Sequence, residues 1–177
     1  MAPPPPLIAL AASGVHRLRG RRVVVGVPGH GFRNDMRSDD SVQQQGRTYV
    51  PVLSEFDYYR AEANGVEAFA MLVPIDRVWV ESLGTETGPS HAVTALDAPG
   101  PRVAIPVTTA GDVLGRRLIQ AVPDGYARDI RAATSVYTNG HGNACVRVCA
   151  ESAWYQWAFS GELPRTTEVA AADLWTE

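Results

Sequence analysis

The segment Gly29-His30-Gly31-Phe32-Arg33 holds the residue types most suggestive of chemistry. Glycines let backbone amides approach an anion, and His30 with Arg33 can bind a phosphate or carboxylate. The spacing is not that of a dinucleotide or phosphate loop, and a plain glycine turn also accounts for it. Shortly after come Asp35 and Arg37, and the same Asp-x-Arg spacing returns at Asp129 and Arg131, beside Arg128. On a strand, residues two apart face the same way, so each pair can form a local ion pair. Alternatively the aspartate caps a turn while the arginine reaches a ligand. Tyr58, Tyr59, Trp154, Tyr155 and Trp157 supply aromatic surface with polar tips, which serves binding faces and small cores alike. If the chain has a ligand or partner surface, the residues expected to form it are His30, Arg33, Asp35, Arg37, Arg128, Asp129, Arg131, Tyr58, Trp154 and Trp157.

Catalytic signatures are missing. There is no G-x-S-x-G nucleophile elbow, and no catalytic residue is assigned. The two cysteines stand at Cys145 and Cys149, about 13 Å apart if they lie on one strand, too far to bridge. They read as buried free thiols in a reducing, cytoplasmic setting. Neither the cysteines nor the four histidines have metal-ligand spacing, so no metal and no cofactor is expected. Glu55 and Glu151 open matched helices, where a carboxylate is favoured by the helix dipole.

The 177 residues carry 16 basic and 19 acidic side chains, for a net charge of −3. Every basic residue is arginine, as a G+C-rich coding sequence produces, and Schiff-base or phosphate-loop lysine chemistry is excluded. The acidic balance argues against general nucleic-acid binding. No apolar run reaches the roughly 20 residues of a membrane span. Residues 1–15 open with MAPPPP and read as a proline-rich arm.

The chain also repeats itself. Gly20-Arg21-Arg22 through Val27-Pro28 matches Gly115-Arg116-Arg117 through Val122-Pro123. Gly31 to Arg37 matches Gly125 to Arg131, and Gly46 to Glu55 matches Gly142 to Glu151. Tyr58-Tyr59 matches Trp154-Tyr155, and Val73 to Glu81 matches Val169 to Glu177. Order is kept throughout and the offset drifts by about two residues, as short loop insertions cause. This divides the chain into the arm (1–15), a first unit (16–82), a linker (83–111) and a second unit (112–177). The linker holds Thr85, Gly88, Pro89, Pro99, Gly100 and Pro101, and the alternation from Val103 to Val107 suits an edge strand.

Each unit opens with a β-branched run ending at Val-Pro. A second segment follows, then an alternating strand, a short helix closed by glycine and a last strand. The predicted class is therefore β-rich α+β, a tandem duplication of a β-β-β-α-β unit packed as a pseudo-twofold pair. The ending Val73-Pro-Ile-Asp-Arg-Val-Trp-Val80 resembles the short turn and last strand of Src-homology-3-like small barrels, over a few residues per unit. That resemblance implies a small-barrel fold and carries no function. Glycines, valines, tryptophans and turn residues dominate the repeated set. The expected function is accordingly a non-enzymatic binding or adaptor protein, meeting a protein, a second copy or an anionic ligand through its inter-unit surface. The rivals are a structural subunit of a larger particle, such as a phage, with the arm docked on a neighbour, and a small enzyme using the Gly29–Arg37 loop.

Overall fold

A computed structural model describes residues 2–84 and 94–177. The linker residues Thr85, Gly88 and Pro89 lie outside this range. The chain forms two compact bodies. The N-terminal body is Leu7–Pro101. The C-terminal body is Arg102–Glu177, joined by the residues that precede Leu7.

The N-terminal body runs β1 (Leu7–Ala11), β2 (Arg22–Val27), β3 (Gly31–Ser38), β4 (Val42–Gln44), β5 (Arg47–Ser54), α1 (Glu55–Asn64), β6 (Met71–Pro74) and β7 (Val78–Leu83). The C-terminal body repeats that order with β8 (Ile105–Pro106), β9 (Arg117–Val122), β10 (Gly125–Ala132), β11 (Tyr137–Thr138), β12 (Ala144–Ala150), α2 (Glu151–Ser160), β13 (Thr167–Ala170) and β14 (Leu174–Thr176). Each body is thus one curled antiparallel sheet of seven described strands plus one helix. The strand order is β1-β7-β2-β3-β5-β4 with β6 on β5, and β11-β12-β10-β9-β14-β8 with β13 on β12. The β-β-β-α-β expectation gave each unit too few strands. Short β4 and β11, and the strands β6 and β13 ahead of a 3-10 turn, carry little alternation of their own.

Leu7–Ala11, inside the segment read as an arm, pairs with β7, and Ala11 lies opposite Trp79. Pro106 in β8 lies opposite Trp175 in the same way. The repeat therefore begins before Gly20 and Gly115. Ala12 and Val107 are both buried at the foot of these edge strands.

The curl has a local cause. Asn34 and Asp35 together oppose the single residue Val24, because the register moves from Val23–Met36 to Val25–Arg33. Arg128 and Asp129 do the same opposite Ile119. Asp35 and Asp129 are left-handed, with φ of 58° and 62°. Aspartate tolerates that region better than most side chains. A bulge bends its strand and increases the twist, which turns a flat sheet into a half-barrel.

One face of each sheet is the core. Val23, Val25, Met36, Val50, Val52, Val73, Val78 and Val80 fill the first. Leu118, Val146, Val148, Val169, Ala171 and Leu174 fill the second. Pleat alternation sends Trp79 and Trp175 to the opposite face, where both are nonetheless buried. Trp79 is covered there by the Phe32 ring, edge-on at 5.7 Å, and by Leu96. Gly26 makes room for that cover: a Cβ there would stand 2.7 Å from the Leu96 side chain and 3.0 Å from Trp79.

Candidate functional site

The matched charged residues meet at the helix starts. Past the bulge, Arg37 lies directly across from Arg22 on the neighbouring strand. Like charges in that position repel unless a carboxylate intervenes. Glu55, the first residue of α1, supplies it. Its Oε1 is 3.6 Å from Arg37 Nε and 3.8 Å from Arg22 Nε, and the Glu55 side chain is 1% exposed. Arg37 also donates to the Gly20 carbonyl at 2.8 Å and to the Tyr59 hydroxyl at 2.9 Å.

The C-terminal body builds the same cluster. Arg131 lies across from Arg117. Arg131 Nε donates to Glu151 Oε1 at 3.0 Å, and Arg117 Nε lies 3.5 Å from the same oxygen. Arg131 donates to the Gly115 carbonyl and to the Tyr155 hydroxyl, both at 2.8 Å. Its guanidinium also sits 4.9 Å from the Tyr155 ring centroid, a cation–π contact. Each cluster pins helix, bulged strand and opening strand together.

The sequence-predicted residues separate into three environments. Arg37 and Arg131 belong to these enclosed clusters. Arg128 is paired with Glu177 at 3.0 Å. His30 and Arg33 are exposed on the β2–β3 hairpin, where the His30 amide closes the turn onto Val27. Asp35 and Asp129 are the exposed bulge residues. Tyr58 and Trp154 are half-buried over Gly20 and Gly115, whose φ is +74° in both. A Cβ at either glycine would stand 3.1 Å from that ring or its hydroxyl. Burial, then Glu62, pushes the Tyr58 hydroxyl above its ordinary value. Trp157 stacks edge-on against Trp154 at 5.3 Å. The structure therefore brings Arg37 to Tyr59 and Glu55, and Arg131 to Tyr155 and Glu151. Glu55, Glu151, Tyr59 and Tyr155 fall outside the set of ligand-surface residues expected from sequence. The available signal was that charged residues kept their identity in both copies at positions spaced for burial.

A different feature of the N-terminal body is open. Between α1 and the segment after it lie two adjoining cavities of about 330 and 520 Å3. They share Leu53, Ala61, Val66, Glu67, Ala68 and Phe69, and Tyr58 joins the larger one. Phe69 is wholly exposed at 103%, and Val66, Met71 and Leu72 nearby are about half exposed (54%, 43% and 44%). Arg60, Asp57 and Glu67 rim the smaller cavity.

The cysteines are free and buried. Burial pushes the Cys145 thiol up, with Glu168 acting in the same direction. Burial also raises Cys149, against an opposing pull from Arg131. A raised thiol is the reverse of an activated nucleophile. Asn139 Nδ2 lies 3.4 Å from Cys145 Sγ and donates to Glu168 at 2.8 Å. Glu168 also accepts from the Tyr137 hydroxyl, and that bond, then Asn139, holds its carboxyl below the usual range. Among the described residues no group of three His, Cys, Asp or Glu side chains is placed to hold a metal, and no helix is long and apolar enough to cross a membrane.

No family model, curated protein or solved structure matches the chain.

Proposed function

We propose that the chain is a non-enzymatic binding protein whose N-terminal body takes a segment of a partner protein in the groove beside α1. The observation that carries this reading is Phe69, wholly exposed at the lip of a groove of mixed polarity, next to half-exposed Val66. Exposed aromatic and aliphatic side chains grouped around a concavity mark interaction sites, whereas single ones do not. The arginines suited to an anionic ligand support a small anion less well. Arg37 and Arg131 are held by Glu, Tyr and carbonyl groups, and Arg128 by Glu177. Raised thiols argue in the same direction against a cysteine enzyme. The small-barrel likeness belongs to this reading, supported by the curled sheets and by the 3-10 turns Ile75–Arg77 and Ala171–Asp173 that lead into β7 and β14.

A photo-crosslinking amino acid placed at position 69 tests the groove in the producing cell. We expect a discrete crosslinked protein, whose untagged form binds the purified chain and is lost from Phe69→Asp and Val66→Asp with the fold intact by circular dichroism. Undiminished binding by both variants would remove the groove from the account.

A further inference from the structure

The outer faces of the two bodies are closed differently. In the N-terminal body Phe32 and Leu96 cover Trp79, and Gly26 admits Leu96. In the C-terminal body the matching positions are Tyr126, Trp175 and Ala121, so a Cβ stands where the leucine cover would need space. The Tyr126 ring packs edge-on against Trp175 at 6.3 Å. Its hydroxyl, which Phe32 lacks, lies 3.1 Å from the carbonyls of both Ala2 and Pro3 and shares its single proton between them. Pro4 is buried, and these residues belong to the same compact body as Tyr126.

Pro3 to Pro6 form an unbroken run. Proline fixes its own φ and forces the residue before it into extended geometry, so the run is a preformed polyproline-type rod. Such a rod offers carbonyl acceptors and no N–H donors. A receptor for it needs a donor beside aromatic surface, and Tyr126 against Trp175 provides both.

We propose that the Tyr126–Trp175 face of the C-terminal body is a binding site for proline-rich segments, that the chain's own residues 2–6 fill it as an internal ligand, and that a proline-rich segment of another protein displaces them. Because the arm is part of the same chain, its docking is intramolecular, so a free competitor binds the intact chain weakly. Loosening the arm uncovers the site. Residues 2–6 belong to neither hydrophobic core, so substitutions there leave both sets of core side chains in place.

The test uses the full chain carrying Pro3→Gly and Pro4→Gly together, titrated with the synthetic peptide Ala-Pro-Pro-Pro-Pro-Leu by calorimetry. We expect this variant to bind the peptide at least tenfold more tightly than the unaltered chain. Adding Tyr126→Phe, which keeps the ring and removes the donor, should weaken binding at least threefold. In a second measurement the unaltered chain carries a fluorophore on its N-terminal amine, and its anisotropy should fall as peptide is added at millimolar concentration. The proposal is overturned by equal affinities in the first comparison, by indifference to Tyr126→Phe, or by unchanged anisotropy. It is also overturned if light scattering shows a dimer of the unaltered chain that the arm variant abolishes. In that case the natural occupant is a second copy's arm and not another protein's segment.

Discussion

At the residue scale, the decisive chemistry is a carboxylate shared by two arginines. Removing one member of a buried ion-pair cluster leaves the others desolvated, at about 3–5 kcal/mol. Glu151→Gln should therefore lower the stability of the C-terminal body by that order, read as a shift in its urea midpoint. Tyr155→Phe, which removes one hydroxyl from a charged donor, should cost about 1.5–3 kcal/mol. An unchanged midpoint for Glu151→Gln would deny the cluster its structural role. In the same body, Glu168 makes a pH prediction. Its carboxyl is held below the usual range by Tyr137 and then Asn139. A lowered folded value stabilises above the unfolded carboxylate value and is lost as pH falls through the folded one. The acid limb of stability should thus decline from about pH 4–5 downward, and Glu168→Gln should flatten part of it. Cys145 and Cys149 should react with a thiol reagent at neutral pH only as fast as the body opens. How these residues group was only partly legible from sequence. Matched identities flagged Arg22, Arg37, Glu55 and Tyr59, but the bulge that turns Arg37 toward Glu55 is set by one backbone dihedral, which no spacing rule reveals.

At the element scale, the bulges and the glycines under the aromatic rings do the positioning. Asp129→Val places a β-branched residue at φ of 62° and should cost about 1–3 kcal/mol, while Asp129→Asn, which tolerates that region, should cost far less. Equal losses would mean that the aspartate acts through its charge and not through its backbone. Gly115→Ala should also destabilise, since both its φ of +74° and the Trp154 ring at 3.1 Å oppose a Cβ. The helices were readable from sequence because each has a glycine stop in the left-handed conformation, Gly65 or Gly161. The long strands were readable from Val50–Val52 and Val146–Val148. The edge strand β1 was hidden because its neighbours are prolines and its own residues, Leu-Ile-Ala-Leu-Ala, show no polar alternation to mark a face. The groove beside α1 was hidden for another reason. Its walls come from β5, α1 and the segment after it, and only folding makes them adjacent.

At the scale of the whole molecule, each body has its own core and its own fluorescent reporter. Trp79 is in the N-terminal body, while Trp154, Trp157 and Trp175 are in the C-terminal one. Val146→Ala removes two methyl groups from the second core and should lower that body's midpoint by about 2 kcal/mol, leaving the transition seen by Trp79 in place. Parallel loss in both signals would instead make the chain one cooperative unit. The route of the backbone has a consequence in time. The hydroxyl that holds Ala2 is 124 residues further along the chain. At roughly 5–20 residues per second of translation, the proline run is therefore polymerised about 6–25 seconds before Tyr126. The nascent protein thus passes through an interval in which its first residues are on offer to any aromatic receptor in the cell, and its own receptor has yet to be made.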